Sequence, residues 1–194
     1  MGQHSMEDYI KTLFANNLES QMGVADEIPE AISNGAQKIV NCLLQDGKLL
    51  VCGIGASAAN ALHFSTALIH EYMVERPALP AIVLAQDLTF NDDNSQIFAR
   101  QIQALGTEKD LLLILTTTGE SNSLIQAVQA AKEREMDILV LSGRNGGILS
   151  NHLGPEDLEI RLSLHHPARI REMHLFILHC FCDLIDQALF GASA

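Results

Sequence analysis

The sequence predicts a doubly wound α/β protein: a three-layer αβα sandwich on a mostly five-stranded parallel sheet, preceded by N-terminal helices. Short, continuously apolar runs are the main observation, because such runs are typical of parallel strands covered on both faces. They occur at residues 49–52, 81–84, 111–115, 138–141 and 158–162. Helical patterns separate most of the runs, which indicates repeated βαβ units.

Two amphipathic helices are predicted before the first strand. Between residues 7 and 26 apolar side chains recur at three- and four-residue intervals, the pattern of a helix with one apolar face. A second stripe covers residues 28–43, with Pro29 accepted in the first turn and Asp46-Gly47 as the stop signal. The helices between the strands are expected at about 56–75, 94–104 and 122–135.

The last predicted helix, at about residues 168–190, is apolar around nearly its whole circumference. A helix of this kind has to be buried. In a domain of this size a subunit partner supplies that cover readily, so the sequence predicts a homo-oligomer that uses this helix and the N-terminal ones. The alternative is a central helix inside a monomer.

Length and composition fit one domain. The chain has 194 residues, 47% of them hydrophobic and 19% charged, and no apolar run is long enough for a membrane span. Residues 1–5 are polar, lack a secretory-signal layout and precede a second methionine, so we expect the domain to comprise residues 6–194. The four cysteines lack zinc-cluster or redox spacing, which favours buried thiols and a cytoplasmic location.

The net charge of −12 argues against direct nucleic-acid binding, which needs a basic face. An anionic ligand must therefore be held locally, by hydroxyls and by the backbone amides at a helix N-terminus. In an open parallel sheet ligands bind beyond the carboxyl ends of the strands. The functional residues are therefore expected in the turns that follow the strands.

The turn Thr116-Thr117-Thr118-Gly119-Glu120-Ser121 is the most specific motif, because three consecutive hydroxyls, a glycine and a serine stand between a buried strand and a helix. It predicts a cradle for a phosphate group, with Thr116, Thr117, Thr118 and Ser121 as contacts. Helix capping alone explains one serine but not four hydroxyls around one glycine. Glu120 fits only if its carboxylate points to solvent.

Two further turns are weaker candidates. In Gly53-Ile54-Gly55-Ala56-Ser57, the backbone at Gly55 can approach a ligand and Ser57 can donate its hydroxyl. The dinucleotide fingerprint is absent, since position 58 is alanine. Asn91 and Asp92 lie in a polar turn that either caps the following helix or contacts sugar hydroxyls, and the residues alone favour the cap.

With these residues in place, the chain resembles the sugar isomerase (SIS) domain family, and within it the sedoheptulose 7-phosphate isomerases and the DnaA initiator-associating proteins. The resemblance rests on residues 53–57, 63–64, 75–81, 116–121, 143–147 and 168–174. It implies the SIS fold and a homotetramer that binds sugar phosphate near its subunit contacts. The implied ligand contacts are Ser57, Asn91, Asp92, Thr116, Thr117, Thr118 and Ser121.

The resemblance also implies a catalytic site, of which half is missing here. In the isomerases a glutamate and a histidine move protons between C1 and C2, and many members hold zinc through two histidines, that glutamate and a glutamine. The histidines correspond to His63 and His179, the latter catalytic, but the glutamate position is Ala67 and the glutamine position is Arg171. Arginine does not ligate zinc, so Arg171 is expected to contact phosphate or an anionic sugar group.

Alternatives stay open for these residues. His63 and His179 are either metal ligands or hydrogen-bonded core histidines. Glu71 lies eight residues after His63, close to the same helical stripe, and could supply a carboxylate from one turn further.

Three functions follow from these patterns. A phosphosugar-binding protein with weak or no isomerase activity is favoured. An active isomerase would convert sedoheptulose 7-phosphate to D-glycero-D-manno-heptose 7-phosphate, a lipopolysaccharide heptose precursor. A regulator would bridge copies of DnaA; this branch also lacks the glutamate and shares the Leu189-Phe190 end, although it usually has glutamine at 171 and no histidine at 179.

Overall fold

The computed structural model describes residues 5–85 and 94–191. Within them, five parallel strands form one sheet in the order β2-β1-β3-β4-β5, with helices on both faces, which confirms the predicted α/β sandwich. The elements are α1 (Met6–Ala25), α2 (Pro29–Leu44), β1 (Leu49–Gly53), α3 (Ser57–Ile69), β2 (Ala81–Val83), a 3₁₀ turn (Asn94–Gln96), α4 (Ile97–Leu105), β3 (Leu111–Leu115), α5 (Asn122–Glu133), β4 (Asp137–Gly143), a second 3₁₀ turn (Leu149–His152), β5 (Leu158–Leu162) and α6 (Pro167–Phe190).

Successive residues of each strand feed opposite halves of the core. Leu49 and Val51 of β1 pack with α2, α3 and α6, whereas Leu50 and Cys52 pack with α4 and α5. This alternation follows from the pleat of the strand and explains why the strands are apolar throughout. Each fully buried leucine contributes about 1.5–3 kcal/mol relative to an exposed one.

The strand order places two of the predicted turns side by side. β1 pairs with β2 on one edge and with β3 on the other, and Gly53 stands opposite Leu115. Ligands of doubly wound sheets bind at the carboxyl ends of the two strands where the order reverses. The turns after β1 and β3 therefore border one crevice.

α3 is shorter than the helix predicted over residues 56–75: it begins at Ser57 and ends at Ile69. The Arg76 guanidinium donates hydrogen bonds to the carbonyl oxygens of Ala67 and Leu68, both at 2.8 Å, and so occupies acceptors at the helix end. Glu71, the alternative source of a carboxylate on the His63 stripe, therefore lies beyond the end of the helix.

α1 and α6 present apolar surface that the single chain does not cover. α6 packs against the sheet through residues such as Ile177 and Phe181, yet Phe176 is 55% exposed. By length and composition α6 would suffice to cross a membrane, but here it is a core helix. In α1 only Val24 is buried. The predicted homo-oligomer would cover its exposed residues, which are Met6, Tyr9, Ile10, Leu13, Phe14, Leu18 and Met22.

Candidate functional site

The turn after β3 is shaped by the Thr116 hydroxyl. Its oxygen accepts hydrogen bonds from the amides of Gly119 at 3.0 Å and Thr118 at 3.4 Å. The Thr116 amide donates to the carbonyl of Leu141 at 2.9 Å, which continues the sheet for one more residue. Thr116 is buried, so the structure gives it a role in holding the turn.

Other groups of the turn remain open toward a ligand. Thr117 is half-buried and its hydroxyl makes no hydrogen bond to the part of the chain that the structure describes. Within the same described residues, the Thr118 hydroxyl accepts only a long hydrogen bond, 3.4 Å, from the amide of exposed Glu120. Ser121 occupies the N-cap position of α5 without capping it, and its oxygen lies 3.0 Å from that of Ser123. Capping therefore does not account for Ser121, and the positive end of α5 faces the turn.

The loop after β4, residues 143–149, contains several glycines and packs against this turn; we call it the glycine loop. Gly119 has a φ of +68°, and a Cβ there would overlap the carbonyl oxygen of Gly146. The amide of Leu149 donates to the Gly119 carbonyl at 2.9 Å. The cradle backbone is thus in direct contact with residues 143–149.

Glu159 of β5 stabilises the glycine loop, a role that the sequence did not predict. Its carboxylate accepts hydrogen bonds from the hydroxyls of Ser142 at 2.5 Å and Ser150 at 2.9 Å. Burial alone would raise the pKa of Glu159, but hydrogen bonds from Arg161, Ser142 and Ser150 outweigh burial and lower it. In the sequence, the only indication of this role is an acidic residue inside the predicted strand at residues 158–162.

Ser57 brings a second open hydroxyl to the crevice. It begins α3, is 4% exposed, and its hydroxyl has no hydrogen-bond partner within residues 5–85 and 94–191. Gly55 adopts a φ of +58° with no atom within 4 Å of where a Cβ would lie, so the backbone is open there. Predicted contacts Asn91 and Asp92 lie outside the described residues.

His63 and His179 meet between α3 and α6. Their Nε2 atoms are 2.8 Å apart, so the N–H of one ring donates to the bare nitrogen of the other. Tyr72 stacks on His179 with ring centroids 5.4 Å apart. Partial burial and the neighbouring His63 lower the pKa of His179, which favours neutral imidazole at pH 7.

The described residues do not fit a zinc centre at this pair. Zinc–nitrogen bonds of about 2.0–2.1 Å in a tetrahedral site separate two nitrogens by roughly 3.3 Å, whereas these nitrogens are 2.8 Å apart, a hydrogen-bond distance. Position 67, where the resemblance implies a third ligand, carries only the methyl group of Ala67. Among the described residues no group of three histidine, cysteine, aspartate or glutamate side chains is arranged to hold a metal ion.

The first turns of α6 reach the same end of the sheet as the cradle. A Cβ at Gly143 would lie 2.5 Å from Cδ1 of Ile170 and 2.9 Å from the carbonyl oxygen of Thr117, so α6 and the cradle flank this glycine closely. The Asn60 amide donates to the carbonyl of Arg171 at 2.9 Å. Arg171 is therefore fastened to the beginning of α3, which carries Ser57.

His174 lies one turn after Arg171 and is completely buried. Burial lowers the pKa of His174 to about 4, and the positive charge of Arg171 acts in the same direction, although a hydrogen bond with the Ser142 carbonyl opposes them. The ring is therefore neutral at pH 7. Its Nε2 lies 3.2 Å from that carbonyl oxygen, and its Nδ1 has no hydrogen-bond partner among the described residues.

Known proteins resemble this chain over nearly its whole length. The SIS domain family model matches residues 14–143. The DnaA initiator-associating protein DiaA of Citrobacter koseri is 46% identical over 191 residues, which cover 95% of this chain and 97% of that protein. A phosphoheptose isomerase from Francisella tularensis has a TM-score of 0.90 at 39% identity, covering 95% and 100% of the two chains. One from Neisseria gonorrhoeae has a TM-score of 0.87 at 32% identity, covering 94% and 100%.

Proposed function

The chain belongs to the SIS domain family, and on this premise we propose that it is a cytoplasmic phosphosugar-binding protein with little or no isomerase activity. One observation carries the proposal: open hydroxyls of Ser57 and Thr117 follow two adjacent strands, beside the N-terminus of α5. Hydroxyls and free amides at the positive end of a helix are suited to a phosphate ester.

Weak or absent turnover follows from the groups around the histidine pair. Aldose–ketose isomerisation needs a base and an acid that face two carbons of the substrate. The Ala67 methyl group cannot exchange a proton, and His63 and His179 are hydrogen-bonded to each other. We therefore expect the protein to bind phosphosugars but not to transfer protons efficiently.

A thermal-shift titration with sedoheptulose 7-phosphate tests binding, with a product assay run on the same samples. At a ligand concentration of about 100 Kd we expect stabilisation of about 2.7 kcal/mol, a rise in Tm of roughly 5–10 °C, and no accumulation of product. Unphosphorylated sedoheptulose is expected to give no rise.

The variant Ser57→Ala/Thr117→Val should lose most of this shift, whereas Ser33→Ala, on the exposed side of α2, should retain it. Absence of a shift in the unaltered protein would refute phosphosugar binding. Rapid product formation would instead establish the isomerase.

The similarity to DiaA proteins favours a second candidate function, in which an oligomer bridges copies of DnaA. Leu189 and Phe190 end α6, and Phe190 is 40% exposed. We expect immobilised protein to retain purified DnaA, with retention lost in Leu189→Ala/Phe190→Ala but kept in Gln187→Ala. Light scattering should give the mass of a tetramer. A monomeric mass, or equal retention by all three proteins, would argue against bridging.

A further inference from the structure

The beginning of α6 carries positive charge that the described part of the chain does not fully neutralise. Its first turn has no acidic residue, and Arg169 and Arg171 stand close to the positive end of the helix dipole. Cations are unfavourable at that end. Arg169 is compensated, since its Nη1 donates to Glu172 at 2.6 Å, whereas no acidic side chain among the described residues pairs with Arg171.

Arg171 is half-buried and its guanidinium has no ion pair or hydrogen bond in residues 5–85 and 94–191. The residues three and four positions away on the helix are Pro167, Ala168, His174 and Leu175, none of them acidic. Yet acidic residues outnumber basic ones by 24 to 12 in this chain. A cation partly removed from water without a counter-charge is unfavourable, so the position of Arg171 favours an anion supplied from outside the described residues.

The surroundings of Arg171 belong to the crevice. Ile170, its neighbour in sequence, flanks Gly143 together with the cradle carbonyl of Thr117, and Asn60 ties Arg171 to the beginning of α3. His174, one helical turn further on, is neutral and completely buried, so it offers this guanidinium no counter-charge. The beginning of α6, which carries Arg171, thus lies at the end of the sheet where the phosphate cradle lies.

Two elements approach the crevice from opposite layers of the sandwich. α5, whose N-terminus closes the cradle, packs on one face of the sheet, whereas α6 with Arg171 packs on the other. In the proposed function, hydroxyls and backbone amides on the α5 side already bind the phosphate group. A planar guanidinium matches a carboxylate through paired hydrogen bonds, so a second anionic group on the ligand suits Arg171.

Building on the proposed phosphosugar binding, we propose that Arg171 binds a carboxylate and that the preferred ligands are phosphorylated sugar acids. Neutral ketose and aldose phosphates then bind more weakly. This assigns a use to the arginine at the position where the resemblance led us to expect glutamine.

Calorimetric titrations with 6-phosphogluconate, glucose 6-phosphate and inorganic phosphate test the inference, because the two sugars differ mainly in the carboxylate. We expect 6-phosphogluconate to bind at least about tenfold more tightly than glucose 6-phosphate. Arg171→Gln should weaken 6-phosphogluconate by about 10- to 100-fold, the range for a hydrogen bond to a charged group, with less than about threefold change for the other ligands. Arg169→Gln is the matched control, and unchanged thermal unfolding shows that each variant folds.

Equal weakening of all three ligands by Arg171→Gln would overturn the inference, since Arg171 would then contact the phosphate. Equal affinity of the unaltered protein for both sugars would also overturn it while leaving phosphosugar binding intact. If no ligand binds, including sedoheptulose 7-phosphate, the proposed function fails and the inference fails with it.

Discussion

Replacing Arg76 with alanine is expected to lower the free energy of unfolding by about 3–5 kcal/mol, the range for removing one partner of a buried ion pair. The Arg76 Nε lies 2.6 Å from Asp186 Oδ1, and the two side chains are 1% and 5% exposed. Without the arginine, the Asp186 carboxylate stays buried and uncompensated. The carbonyl oxygens of Ala67 and Leu68 at the end of α3 lose their donors as well.

Chemical denaturation measures this loss, and Arg100→Ala, at an exposed site, is the control for removing an arginine. Arg76→Lys should give an intermediate loss, because it keeps the charge but not the forked set of donors. Arg76→Ala/Asp186→Asn should recover part of the stability by removing the buried charge. A loss below about 1 kcal/mol in Arg76→Ala would show that the ion pair is not buried in solution.

Gly119→Ala is expected to weaken phosphosugar binding by at least about 100-fold, a loss of roughly 2.7 kcal/mol. Alanine at a φ of +68° is itself unfavourable by about 1–2 kcal/mol, and its Cβ would overlap the carbonyl oxygen of Gly146. The backbone must move, which breaks the hydrogen bond from the Gly119 amide to Thr116. The open hydroxyls and the α5 amides would then no longer converge on one phosphate group.

Gly191→Ala separates the two causes, because Gly191 follows the last residue of α6 and has a similar φ of +67° but no atom within 4 Å of the added Cβ. It should show the conformational penalty alone, with a smaller loss of stability and affinity. Titration calorimetry and denaturation of both variants provide the comparison. Similar losses of affinity in both would mean that contact with the glycine loop does not hold the cradle.

Several parts of the fold and of the candidate site could be predicted from consecutive residues of the sequence. The apolar runs located all five strands, because the buried strands of a parallel sheet must be apolar on both faces. The turn at residues 116–121 was conspicuous because four hydroxyls surround one glycine. The lack of a carboxylate at Ala67 and the presence of a cation at Arg171 follow directly from the residue types at those two positions.

Other parts depend on residues far apart in the chain. No local pattern indicates that Arg76 ends α3 by bonding back to it, or that Glu159 supports the loop behind the cradle. The sequence left His63 and His179 open between metal ligands and hydrogen-bonded core histidines, whereas the structure places their Nε2 atoms 2.8 Å apart with His63 exposed.

The phosphate-cradle motif and the α/β fold class were therefore determined by the sequence itself, since periodicity and turn composition are properties of neighbouring residues. The tertiary structure decided that the cradle adjoins Ser57 and contacts the glycine loop, and that the beginning of α6 approaches it from the opposite layer. The physical reason is that strand order and the packing of helices on the two faces of the sheet determine which distant side chains meet. Local preferences do not specify those distances.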